Sequence, residues 1–169
     1  MASGQEVVQI QDVMPTGANS ATPDIRIGGS TPAEHIPVWD FDATVIEYLD
    51  FKCLLLDNYA GGGLTWTLPW MASTATANEV RWGVAVRRIA DDAEDVDSSH
   101  TYDYNDVDDT APSASGEFSY PTVSMTDGAD MDSWAKGEEA IVRVRRNATH
   151  ANDDMAGDSE LVDLIGRET

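Results

Sequence analysis

From Val38 onward the chain alternates between apolar and polar positions. Val80, Trp82, Val84 and Val86 are interleaved with Arg81, Gly83, Ala85 and Arg87, a period of two with one apolar face. That period belongs to a half-buried strand, because successive side chains point to opposite sides of a sheet. Similar short runs predict strands over 38–41, 44–56, 65–71, 79–89, 100–105, 117–125, 140–146 and 161–165. Turn chemistry separates several of them, as in Asp57-Asn58-Tyr59-Ala60-Gly61-Gly62-Gly63 and Ala111-Pro112-Ser113-Ala114-Ser115-Gly116. One short helix is predicted over 126–134, where acids follow capping residues and Met131 and Trp134 stand at i, i+3. Tyr48, Phe51 and Leu55 have partly helical spacing, but their segment is kept as strand. Eight such segments without a long amphipathic helix predict an all-β fold, an antiparallel β-sandwich of jelly-roll type.

The stretch 14–37 breaks this pattern. It holds four prolines (15, 23, 32, 37) and three glycines (17, 28, 29), and its large apolar residues are mainly Ile25, Ile27 and Ile36. Such a segment cannot build a core of its own, and its prolines favour extended conformations. The predicted organisation is therefore an extended N-terminal arm over 1–37 and a sandwich over 38–169. The arm is expected to be dispensable for folding and to order on assembly, with the three isoleucines as interface candidates.

Composition adds a strong charge. The 31 acids outnumber the 10 basic residues, for a net charge of −21 and a pI near 4.1. That excludes duplex nucleic acid and anionic membrane as electrostatic partners. Aspartates number 21 against 10 glutamates, and the lysines are only Lys52 and Lys136. Short, strongly hydrated carboxylates with few lysine stems read as a halophilic surface, kept wet where salt shortens the reach of charge repulsion. Cys53, the single cysteine, sits in an apolar run as a small core residue and has no intramolecular partner. No basic segment followed by an apolar stretch opens the chain, and no run approaches the roughly 18 apolar residues of a membrane span. The expectation is a chain that is soluble where it is made, without signal peptide or anchor.

Candidate chemistry is sparse. Residues 91–109 hold nine carboxylates, hard ligands of the kind Ca²⁺ and Mg²⁺ take, with Asp91, Asp95 and Asp97 as weak metal candidates. An EF-hand read from Asp91 would need Gly and Glu where Val96 and Tyr102 stand, so a solvated loop is favoured over a specific site. The pattern implies no cofactor beyond loosely held Mg, Ca, Na or K ions. His35, His100 and His150 share no ligand spacing, and G-x-S-x-G, H-E-x-x-H and phosphate-loop motifs are absent. No catalytic residue is assigned. Asn147-Ala148-Thr149 fits the acceptor pattern for N-glycosylation, a pattern short enough to arise by chance.

Trp66 and Trp70 share parity on one predicted strand and are candidates for a core or subunit interface, with a sugar-stacking groove as the alternative. Six of the ten basic residues lie in two strands, at Arg81, Arg87, Arg88, Arg143, Arg145 and Arg146. If those strands are neighbours, an arginine face results. Arg143 and Arg145 are then either a docking patch or partners for the chain's own acids. Asp153 and Asp154 stand where they would pair with Arg145 and Arg146 across a turn.

The stretch from Leu64-Thr65-Trp66 through Trp70-Met71-Ala72 to Val80-Arg81-Trp82, with its following Asp-rich loop, resembles small virion structural proteins of tailed viruses of bacteria and archaea. The run Met131-Asp132-Ser133-Trp134, then Val142-Arg143-Val144-Arg145-Arg146-Asn147-Ala148 and Asp153-Asp154, is similar to the later half of the same proteins. The resemblance covers roughly residues 39–169. It implies a compact sandwich without enzymatic residues, used in head decoration, capsid fibres or tail fibres. Joined to the halophilic composition, it implies a tailed virus of a salt-loving archaeon. The expected function is a capsid decoration (cement) protein, a homotrimer on the outer capsid surface that reinforces the major capsid protein. The alternative is a glycan-recognising module of a tail fibre or spike, with a hydrolase a distant third.

Overall fold

The computed structural model describes residues 4–169 and contains thirteen strands. They are β1 (Val8–Pro15), β2 (Thr22–Ile27), β3 (His35–Phe41), β4 (Glu47–Leu55), β5 (Leu64–Thr67), β6 (Trp70–Ala72), β7 (Glu79–Ile89), β8 (Asn105–Thr110), β9 (Phe118–Ser119), β10 (Thr122–Met125), β11 (Glu139–Arg146), β12 (Ser159–Leu161) and β13 (Ile165–Glu168). Every strand pairing within the sheets is antiparallel. One layer is the sheet β1-β4-β11-β7-β8, and the other consists of β10-β5-β13 and β2-β3-β12-β6-β9. The architecture is the predicted β-sandwich.

The second layer is folded along a crease. β5 and β6, β9 and β10, and β12 and β13 are consecutive halves of three strands, each broken at the same level. Two breaks fall at Leu68-Pro69 and Tyr120-Pro121, where proline cannot donate to a ladder. The Leu68 N–H donates to the Pro121 carbonyl and the Val162 N–H to that of Pro69, which holds the breaks in line. Trp66 and Trp70 therefore lie in different sheets yet both point inward, fully buried. Trp82 meets Phe41 edge-on at 5.1 Å and Trp70 at 5.9 Å, joining the two layers.

The predicted arm is extended, but it belongs to the sandwich. β1 pairs with β4 along one sheet edge and β2 with β3 along another, while Val7, Val8 and Ala21 are buried in the core. The boundary expected after Pro37 falls inside β3. β1 escapes the alternation test because a bulge between Ile10 and Asp12 reverses its parity. Residues 100–104 form no strand; the ladder begins at Asn105. The predicted helix over 126–134 shrinks to a 3-10 turn, Ala129–Met131. Cys53 is buried.

At the end of β11, Arg146 is fully buried against Asp153. Its Nε and Nη2 donate to the carboxylate, and its remaining donors reach the carbonyls of Phe41, Met155 and Gly157. Of the pairing anticipated across the turn, Arg146 with Asp153 forms, while Arg145 turns to Asp106 and Asp154 accepts from the Glu79 N–H. The Arg146–Asp153 pair fastens residues 147–158 to the end of β3.

Candidate functional site

The arginine-bearing strands are neighbours, since β11 pairs with β7 from Glu139↔Ile89 to Arg146↔Trp82. Their outward arginines are consumed within the molecule. Arg143 grips Asp50 through two hydrogen bonds of 2.6 and 2.7 Å, which hold its guanidinium above the ordinary range. Arg145 and Arg81 share Asp106, and Arg81 also reaches Asp108 at 2.6 Å. The chain from Ala90 to Tyr104 then crosses this face as a strap. Tyr102 lies over Arg143 and Tyr104 over Arg145, at 4.1 and 3.8 Å from guanidinium to ring centre. Gly83 is required beneath, because a Cβ there would press into Asp106 and Arg145. Arg143 and Arg145 thus bind their own acids and tyrosines, and the docking patch expected of them is covered.

The acidic loop is part of the strap. Arg87, itself buried, donates to the backbone carbonyls of Asp95 and Ser98. The Asp95 carboxylate accepts from the Asp97 N–H and the Ser98 hydroxyl. Asp91, Asp95 and Asp97 are all exposed, and among the described residues no three His, Cys, Asp or Glu side chains gather to hold a metal ion.

Trp66 and Trp70 are excluded as contact residues by their burial in the monomer's own core. The exposed apolar surface is elsewhere, on the β2–β3 ribbon. Along β2 one face carries Pro23, Ile25 and Ile27, paired with Trp39, Pro37 and His35 of β3. Ala21, just before β2, is 2% exposed, whereas Ile25 is 53% and Ile27 62% exposed. Pro23, Asp24, Ile25, Ile27, Pro37, Val38 and Trp39 line an open depression of about 580 Å³. Ile36 faces the other way, half-buried beside Met71. That opposite face is occupied: Arg26 pairs with Glu160 and hydrogen-bonds Ser115 and the Ser73 carbonyl, pinning the 111–117 loop over it. A second exposed apolar feature is the stacked pair Phe118 and Tyr120, with ring centres 5.9 Å apart.

No protein-family model matches the chain, and no curated protein matches it. Among solved structures it is similar to the CBM22-1 xylan-binding domain of Xyn10C from Paenibacillus barcinonensis. That domain is 9% identical, with a TM-score of 0.52 over 99% of this chain and 96% of the other. The two share a fold. A family 11 carbohydrate-binding module from Clostridium thermocellum, in complex with a β-1,3-1,4-mixed-linked tetrasaccharide, is 14% identical with a TM-score of 0.41, covering 99% of this chain and 96% of that one. At 9% identity the likeness to the xylan-binding domain extends to the jelly-roll sandwich alone.

Of the three isoleucines named as interface candidates, Ile25 and Ile27 are exposed and Ile36 is half-buried. Phe118 and Tyr120 fall in the strand predicted over 117–125 but carry no contact role in the sequence analysis, although their i, i+2 spacing puts both rings on one side.

Proposed function

We propose that the chain is a non-enzymatic virion structural protein, a capsid decoration protein of a tailed virus of a salt-loving archaeon. It acts as a homotrimer on the outer surface of the major capsid protein shell and works by binding alone. The observation that carries this reading is the Ile25–Ile27 face, an apolar surface on a molecule of net charge −21. Water gains from its removal, and a protein partner is the natural cover. The resemblance over residues 39–169 supports a virion role, and the absorption of the arginines and tyrosines into one closed layer supports a rigid building block. Contacts present only in the assembled shell stabilise it by mass action. High salt then serves assembly by screening the charges that protomers bring together.

The test is a count of copies in purified particles combined with rebinding to stripped shells. A number that scales with the capsid subunits, with rebinding in molar salt, supports decoration. A number matching the tail or its spikes overturns it.

The glycan-recognising reading is favoured by one separate feature, the exposed Phe118–Tyr120 stack on a sandwich that shares its fold with a xylan-binding domain. Aromatic faces of this kind stack on sugar rings. Calorimetric titration with host surface glycan, and with F118A/Y120A, tests it. Binding by the wild type that the double variant loses supports this reading.

A further inference from the structure

We infer that the apolar face of the β2–β3 ribbon is the surface through which two copies of this chain meet, side chain against side chain. The inference rests on the structural-protein reading only in its choice of surface, and it names the occupant.

Charge argues for a second copy. Residues 13–39 carry Asp24, Arg26 and Glu34 as their charged side chains, a net of −1 over 27 residues with His35 neutral. The remaining 142 residues carry −21 − (−1) = −20. Another face of the molecule set against a copy would oppose carboxylate to carboxylate. Here the like charge in the depression is the single Asp24 of each copy, and Pro23, Ile25, Ile27 and Pro37 meet their equivalents. Equivalent apolar patches gathered about one rotation axis close into a symmetric ring, and the trimer of the structural-protein reading is such a ring.

The backbone edge of β2 is interrupted against the alternative of strand-to-strand pairing at two of its three outward positions. The Gly28 N–H bonds the Glu34 carbonyl, so the even-numbered residues of β2 face β3 and the odd-numbered ones face outward. On that outward edge Pro23 has no N–H, and the Ile25 N–H is taken by its neighbour's carboxylate, Asp24 Oδ1, at 2.7 Å. Natural sheets block free edges in this way against open-ended pairing. With the edge interrupted at Pro23 and Ile25 and the opposite face pinned by Arg26, the apolar side chains are the larger surface the ribbon offers.

Sedimentation equilibrium of the full chain in molar potassium chloride tests the inference. The wild type is expected to self-associate. I25D/I27D is expected to weaken association on the order of a hundredfold, because it replaces four half-exposed apolar side chains per pair of copies with charges. Circular dichroism reports that variant's fold. Independently of its folding, I27C is expected to form an interchain disulfide on mild oxidation, whereas V96C, at a position 57% exposed on the acidic loop, does not. A monomeric wild type, undiminished association of a folded I25D/I27D, or equal cross-linking of I27C and V96C would overturn the inference. Association through the ribbon in a protein that fails to bind shells would instead remove the decoration reading and leave this one standing.

Discussion

Arg146 and Asp153 form an ion pair from which water is excluded on both sides, 2.8 Å from Nη2 to Oδ1. Three carbonyls complete the guanidinium's shell, so the desolvation of the two charges is offset by geometry. R146A strands Asp153 without its partner. It is expected to cost about 3–5 kcal/mol, the range for breaking a buried pair, read as a lower urea midpoint. R146M/D153L, which removes both charges, is expected to recover part of that loss.

Deletion of residues 1–37 is expected to abolish cooperative folding. It removes the edge strands β1 and β2, part of β3, and the buried Val7, Val8 and Ala21. The measurement is near-ultraviolet circular dichroism with a thermal melt. A truncated chain with a sharp transition would restore the view of this segment as a separable arm.

Gly83 lies under the strap, and G83A tests how tightly the strap is held. The added methyl would push on Asp106 and Arg145, neither of which can yield without loosening a shared ion-pair network. Overpacking of this kind costs about 1–3 kcal/mol. Faster proteolysis within 90–104 than elsewhere is the expected signature.

Asp40 gives stability a pH dependence with a definite sign. Burial, then the charges of Asp158 and Glu160, push its pKa from 3.8 up to about 6, and its Oδ1 has no hydrogen-bond partner. The stability it contributes is full below its ordinary value and is lost as pH rises through about 6. D40N is expected to remove that dependence. A shift of this size corresponds to about 3 kcal/mol, and solvent screening of a half-exposed group reduces the expected gain at neutral pH to about 1 kcal/mol. Thermal melts of both proteins at pH 4 and pH 8 check it: the curves should diverge only at the higher pH.

Much of this architecture is legible in the sequence where one face of a strand is continuously buried. β7 runs over the predicted residues 79–89 because Val80, Trp82, Val84 and Val86 all reach the core. Its pairing with β11 brings together the two arginine strands, as their shared alternation suggests. The reading fails where another force sets the pattern. Tyr102 and Tyr104 alternate like strand residues, but their spacing serves the guanidiniums beneath them. β2 is largely exposed, so no burial pattern marks it, and its prolines occupy edge positions that tolerate them. Trp66 and Trp70 take the core half of their expectation, both facing inward across the crease at Pro69.

The Asp24 cap on the Ile25 N–H has a counterpart on the other layer, where Asp12 Oδ1 takes the Val13 N–H at 2.8 Å. Asp163 does the same for Leu164, and the Asp42 carboxylate receives the N–H groups of Thr44 and Val45. Each depends on a side chain short enough to turn back on its own backbone. Glutamate carries the same charge on a longer tether, so at these positions the preference for aspartate concerns reach as much as hydration. Part of the acidity is local carpentry: it occupies backbone N–H groups on the edge strands β1 and β2 and at two strand junctions.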